Sequence, residues 1–320
     1  MRVAYLGNWR PPYSTENDYA RAWRAHGHTV EQFQEGETAS VLSLTHAAHD
    51  GEFDLIVWTR TPSLSKLTGA KNELRLLNDA TCPVIGVHLD RWWGLERQRD
   101  IFTEPYFRVD LLLTADGDHD TEWEQAKVRH RWLAPGVSHR WCGPGVPDEA
   151  WACDVAFVGT TRGYHREWGH RTRLIARLEE RFKDRVRFWP RRGEPGIRGF
   201  DLNDLYWSAK VVVGDSCLVP NGRNEPVRKY CSDRIPESLG RGAILVHPYV
   251  AGITDQLFEH RHWELGDWRG MDRSIEAALE LRDGDRVDER HYRIEQIKAR
   301  HTYEHRVGEI TAILAEEGIL

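Results

Sequence analysis

Apolar residues in this chain fall into short unbroken runs, and amphipathic stretches separate one run from the next. VAYLGNW reads as a buried strand. TENDYARAWRAHGH follows with apolar positions three and four apart, the period of a helix with one buried face, and Ser14 or Thr15 stands where an N-cap belongs. TVEQFQ comes next, then a short helix around SVLSLTHAAHDG, the strand FDLIVWTR and a helix near KNELRLLND. CPVIGVHLD and VDLLLTADG are two further strands. Strands separated by helices of this length predict a parallel sheet covered on both faces.

LAPGVSHRWCGPGVPDEAW interrupts the alternation, and its Pro and Gly density without a period reads as a linker. Beyond it the pattern restarts with strand DVAFVGTT, helix HRTRLIARLEERF, strand VRFWP, a short helix at DLNDLYWSA and strand KVVVGDS. A short helix in YCSDRIPESLG and strand AILVHP follow. The expected class is therefore α/β, with two Rossmann-like domains facing across a cleft. Their expected limits are 1–140 and 141–300, and the amphipathic helix in 301–320 crosses back onto the first domain. In open parallel sheets ligands bind beyond the carboxyl ends of the strands, so functional residues are sought just after strands.

Composition narrows the classes. In 320 residues, 40% hydrophobic and 29% charged residues favour a packed core over disorder. A net charge of −6 argues against a surface that neutralises long runs of phosphate. The five cysteines (Cys82, Cys142, Cys153, Cys217, Cys231) form no CxxC pair, which suggests reduced thiols rather than a zinc ribbon or a disulfide framework. MRVAYLGNW has no charged-then-apolar leader layout, and no apolar run approaches the ~20 residues of a membrane span. The expectation is a cytoplasmic protein without a membrane span.

Four stretches carry candidate chemistry. In VGTTRGYH, Gly159 lets the backbone approach a ligand, Thr160 and Thr161 offer hydroxyls, and Arg162 brings fixed charge. The following helix offers free N–H groups to an anion. The plainer reading is a strand-to-helix turn. In YCSDRIPESLGRGAILVHP, Ser232 or Asp233 can cap a helix with Pro236 in its first turn. That cap does not require Glu237 or Arg234, nor Asn224, Arg228, Lys229 and Tyr230 upstream. A carboxylate there can accept both ribose hydroxyls of a nucleotide. In GVHLDRWWGL, His88 and Asp90 end a strand and suit a general base or a stabiliser of developing positive charge. The alternative for His88 is a satisfied structural imidazole, and Trp92 and Trp93 either stack on an acceptor or pack. In GNWRPPYSTEND, Asn8, Thr15 and Glu16 are polar groups at a loop-to-helix junction, where capping is the plainer account.

Three patterns lead elsewhere. DGDHDTE resembles a calcium loop, but Thr121 and Lys127 occupy the positions that require Gly and Glu; a DxD clamp for a divalent cation stays open. The sixteen histidines give no HExxH, and His165 and His170 are five apart, wrong for a ligand pair on one helix face. RFKDRVRFWPRRGEPGIRG is basic with aromatic interleaving and reads as a charged rim or donor-cleft wall. Within it, Trp189 either stacks on a nucleobase or packs in the core.

Taken in order, the two Rossmann-like halves, the FVG loop, SDRIPESLGRGAILVHP and HTYEHRVGEI are similar to GT-B glycosyltransferases. More narrowly, they resemble the CgeB-like and group 1 transferases of bacteria and their phages, most closely from about Asp154 to Ile310. The resemblance implies a nucleotide diphosphate sugar as co-substrate against the second domain, an acceptor against the first, and no metal or other cofactor. It places Glu237 on the ribose, 159–162 on the diphosphate, Asp215 and Ser216 along the donor pocket, and His88 and Asp90 near the reacting sugar carbon. Many retaining members carry a second acid eight residues before the ribose carboxylate, where this chain has Lys229. The acceptor stays open among a glycan, a protein, a small molecule and modified DNA. A nucleotide-sugar hydrolase or epimerase, and a non-catalytic nucleotide-sugar binding module, are the competing readings.

Overall fold

The computed structural model describes residues 1–60, 71–161, 166–191, 193–218 and 227–320, with side chains at all of these except 71 and 72. The chain divides into two compact units, Met1–Ala134 with Tyr303–Leu320, and Pro135–Thr302. The first unit ends at Ala134 rather than at 140.

In the first unit β1 (Arg2–Gly7), α1 (Thr15–Ala25), β2 (Thr29–Gln34), α2 (Thr38–His49) and β3 (Leu55–Trp58) are followed by α3 (Lys71–Leu76) and β4 (Val84–His88). Then come β5 (Leu111–Thr114), α4 (Asp120–Gln125) and β6 (His130–Trp132). The strands pair in parallel in the order β2-β1-β3-β4-β5-β6. Side chains alternate across the sheet, so β1 sends Ala4 and Leu6 into one apolar cluster and Val3 and Tyr5 into another. Burial on both faces explains the unbroken apolar runs. The last helix, α10 (Tyr303–Glu316), closes the second cluster with Tyr303, Val307, Ile310 and Leu314, spaced as one helical face. Tyr303 packs on Tyr19 of α1 with ring centroids 4.4 Å apart.

The second unit runs β7 (Cys153–Val158), α5 (Gly169–Phe182), β8 (Val186–Trp189), α6 (Phe200–Ser208), β9 (Ala209–Val213), α7 (Arg234–Gly240) and β10 (Leu245–Pro248). It continues with β11 (Arg261–Trp263), α8 (Trp268–Leu279) and α9 (Asp283–Arg300). Its strands are parallel in the order β11-β10-β9-β7-β8.

Two sequence expectations change. The Pro- and Gly-rich stretch before β7 is packed structure of the second unit, not a free linker. Asn203 of α6 donates its amide to the carbonyls of Trp141 (2.9 Å) and Gly143 (3.0 Å), and Gly143 N–H donates to the Gly240 carbonyl at 3.0 Å. The glycines there permit close backbone approach, since a side chain at Gly145 would overlap the backbone of Asn203. In addition, α4, β6, β11, α8 and α9 were not expected from the sequence.

Candidate active site

Strand order reverses in the second unit at β7, whose neighbours are β8 on one side and β9 on the other. Loops leaving the carboxyl ends of β7 and β9 turn toward opposite faces, which opens a crevice at that point. Gly159 follows β7 and takes φ +153°, a conformation that side chains disfavour. A Cβ there would stand 3.1 Å from Nη1 of Arg234. The same guanidinium donates to the Val158 carbonyl, and the Gly159 N–H donates to the Trp189 carbonyl at 2.7 Å. Gly159 and Arg234, named from separate motifs, thus meet at the switch point. Thr160 is exposed and Thr161 half-buried beside them. Arg162 lies outside the described residues, as do Asn224 and His165.

Asp215 follows β9 and is almost fully buried. Its Oδ2 accepts from Arg171 Nε at 2.8 Å and from Trp168 Nε1 at 3.0 Å. Arg171, in the first turn of α5, also reaches the Asp215 carbonyl at 3.4 Å and the Thr160 carbonyl at 3.5 Å. His170 stacks between Trp168 and Trp268, with ring centroids 4.9 and 4.7 Å away. Burial pulls its pKa below the ordinary histidine value, against an upward pull from Asp215. Ser216 lies 2.8 Å from His247 Nε2. Nδ1 of His247 faces the Pro248 carbonyl at 2.8 Å and must donate to it, so Nε2 accepts the Ser216 proton. Burial, with His260 nearby, holds His247 neutral and its pKa well below the usual range.

In the segment before α7, Ser232 Oγ accepts the Arg234 N–H at 3.4 Å, while Asp233 makes no side-chain cap and is exposed. Glu237 accepts from Arg241 Nη2 at 3.2 Å, one turn later, and its side chain stays 32% exposed. A helix cap therefore accounts for Ser232 and leaves the Glu237 carboxylate partly open. Lys229 is exposed with φ +48°, and its N–H donates to the Ala251 carbonyl at 2.9 Å. Tyr230 is buried. Trp189 is also buried, edge-on to Trp151 at 6.0 Å, so it packs and presents no open face to a nucleobase.

In the first unit the strand order reverses at β1, between β2 and β3. Glu16 is buried there and accepts the Asn8 N–H at 3.2 Å, while Asn8 Oδ1 accepts from Gln34 at 3.3 Å. Thr15 opens α1, and Ser14 is its cap, accepting the Asn17 N–H at 3.2 Å. These groups meet after β1, but the Glu16 carboxylate is engaged in closing the loop.

His88 is 4% exposed at the end of β4. Its Nδ1 faces the Asp90 N–H at 3.2 Å and its Nε2 faces the Trp92 indole N–H. Burial, with Arg97 and Arg60 adding to it, holds the pKa well below the ordinary value. The ring is packed in the core, and as a neutral imidazole it accepts at one of these two nitrogens only. Trp92 and Trp93 are likewise core residues; the Arg60 and Arg97 guanidiniums each lie over Trp92, 4.9 Å from a ring centroid. Asp90 is exposed, 3.7 Å from Arg97.

Asp116, first acid of DGDHDTE, is fully buried. Its Oδ2 accepts the N–H groups of Trp92 (3.0 Å) and Trp93 (3.1 Å), and Arg91 Nε lies 3.4 Å from Oδ1. The carboxylate anchors the loop after β4, so Asp116 is not open to a cation, whereas Asp118 and Asp120 are exposed. Among the described residues, no three His, Cys, Asp or Glu side chains gather as a metal site.

Sequence reasoning missed Arg171 and Trp168, and it took His170 only as half of an unsuitable ligand pair at the surface, whereas the ring is buried. One signal was present, since Arg171 shares the helical spacing of Leu174, Ile175 and Leu178 and so falls on the buried face of α5. An arginine at such a position calls for a carboxylate.

Residues 165–312 match the family described as Glycosyl transferase-like. No curated protein sequence matches the chain. Similar solved structures include an alpha,alpha-trehalose 6-phosphate synthase from Burkholderia multivorans, at 11% identity and a TM-score of 0.62, covering 99% of each chain. The E. coli trehalose-6-phosphate structure bound with UDP-2-fluoro glucose matches at 11% identity and 0.61, covering 98% of this chain and 99% of that one. T4 phage BGT in complex with its UDP-glucose substrate matches at 10% identity and 0.57, with the same coverage. No helix among the described residues is long and apolar enough to cross a membrane. Residues 165–312 thus resemble the glycosyl transferase-like family, and the chain as a whole shares the GT-B fold of these solved structures.

Proposed function

We propose that the protein transfers a sugar from a nucleotide diphosphate sugar to an acceptor, with the donor held by the second unit. The observation that carries this reading is the meeting of Gly159 and Arg234 at the strand-order reversal, with the partly open Glu237 on the next turn of the same helix. The backbone at Gly159 and the amino end of α5 suit a diphosphate, because free N–H groups and the helix dipole favour negative charge. The Arg234 guanidinium suits the charge that grows on the leaving phosphate as the sugar bond breaks. Glu237 suits the ribose, accepting from both hydroxyls while Arg241 holds its other side. In this reading those protein groups meet the leaving-group charge, and no metal is needed. At the end of β4, Asp90 is the exposed titratable group and takes the acceptor-side role in preference to buried His88.

The test is release of free nucleotide from nucleotide diphosphate sugars, with and without acceptors, in buffer and in EDTA. Turnover that survives EDTA and needs an acceptor is expected. Loss of two charge-assisted hydrogen bonds in Glu237→Ala should raise the donor KM by about 10- to 100-fold. Rapid turnover with water alone would instead mark a hydrolase, and full dependence on a divalent cation would overturn the metal-free reading.

A further inference from the structure

We infer that Arg171 is a positioning residue that ties the loop after β7 to the loop after β9 and so presets the width of the crevice between them. The inference rests on the donor reading above for its consequence, not for its geometry. Arg171 comes from the first turn of α5 and reaches two loops outside its own helix. Nη1 holds the Thr160 carbonyl (3.5 Å) in the β7 loop, while Nε and Nη2 hold the side chain (2.8 Å) and carbonyl (3.4 Å) of Asp215 in the β9 loop. A guanidinium can make these contacts together because its five N–H groups are fixed in one plane; a lysine ammonium is a point donor on a flexible stem.

The platform under Arg171 is itself fixed. Trp168 joins Asp215 through its indole N–H at 3.0 Å, and the stack of Trp168, His170 and Trp268 links the start of α5 to the start of α8. The Asp215 carboxylate is nearly inaccessible, and its Oδ1 has no hydrogen-bond partner among the described residues. Arg171 is the charged partner of that carboxylate among the described residues, at 2.8 Å, and the His170 ring, its pKa lowered by burial, lies 3.9 Å away. A buried carboxylate secured chiefly by one arginine is costly to leave alone. Loss of the arginine would therefore free both loops, and the consequence would appear where the Gly159 backbone and Arg234 meet.

Hydrogen exchange on the intact protein tests the tie without a ligand. In Arg171→Lys, amides in both 157–161 and 214–218 should exchange faster, by about tenfold or more, while β1 of the first unit is unchanged. Trp168→Phe removes one N–H from Asp215 but leaves the bond to Thr160, so it should loosen 214–218 and spare 157–161. Unchanged exchange in Arg171→Lys, or equal loosening of both segments in Trp168→Phe, would overturn the tie. Should Arg171→Lys not fold, the Trp168→Phe pattern alone decides.

UDP-glucose is the probe for the consequence. Its Kd should rise about tenfold in Arg171→Lys, and an unchanged Kd with loosened loops would refute the positioning role. If the wild-type protein binds no nucleotide sugar, the donor reading fails, whereas the exchange data still judge the tie.

Discussion

Asp116 shows how one buried acid leaves a measurable trace. Burial, opposed by Arg91 and the two N–H groups it accepts, raises its pKa from 3.8 to about 6. The folded protein then binds this proton more tightly than the unfolded chain, so the associated stability is full below pH 3.8 and is lost as pH rises through about 6. At ~1.4 kcal/mol per pH unit, the loss is about 3 kcal/mol. In Asp116→Asn this pH dependence should vanish, because the amide oxygen still accepts the Trp92 and Trp93 N–H groups without titrating. Urea melts of both proteins at pH 4.5 and 7.5 measure it: the variant should gain relative to wild type at the higher pH, and parallel behaviour would refute the assignment. At this scale the sequence was partly legible. Gly159, Arg234 and Glu237 stood out because strand-end chemistry is local. The burial of Trp92, Trp93, Trp189 and His88 was not readable, because an aromatic ring at a strand end serves a core or a ligand equally well.

Among the elements, α9 shows why the sequence announces no helix over Asp283–Arg300. Its buried face carries Arg286 and Arg290 beside Ile294 and Ile297, so the apolar stripe that announces a helix is half missing. The arginines bond backbone carbonyls near the start of β9 and at the end of α8. Arg286 reaches the carbonyls of Lys210 (2.8 Å) and Ala278 (3.1 Å), and Arg290 reaches those of Trp207 and Ala209, the latter at 2.6 Å. Burial lowers the pKa of Arg290 to about 10. Arg290→Met keeps the stem but strands those two carbonyls. It should cost about 2–4 kcal/mol in denaturant unfolding, and a loss below about 0.5 kcal/mol would contradict the account. The strands β6 and β11 were missed for a simpler reason, being only three residues long. In α8, Met271, Ile275 and Ala278 did carry helical spacing, a readable signal that was passed over.

For the whole molecule, alternation of apolar runs with amphipathic stretches was enough to expect two parallel α/β units, because strands buried on both faces and helices with one face leave different periods. Buried histidines give this architecture a common acid response. His260, chiefly through burial, falls from 6.5 to about 4, and His88 and His247 lie well below the ordinary value. Above pH 6.5 these groups are neutral folded or unfolded. Below it the unfolded chain takes up protons that the folded protein refuses, so stability falls as pH drops from 6.5 toward 4. Asp116 opposes this over part of the range but is one group against three. Calorimetry should give a lower Tm at pH 5 than at pH 7.5, and a higher one would contradict the neutral assignment. The most direct test of the central claim is a thermal-shift panel of uridine, guanosine, adenosine and thymidine diphosphate sugars on wild-type protein and Glu237→Ala. At least one donor at 100 times its Kd should stabilise the wild type by about 2.7 kcal/mol and the variant far less. No shift with any donor, or an equal shift in Glu237→Ala, would contradict it.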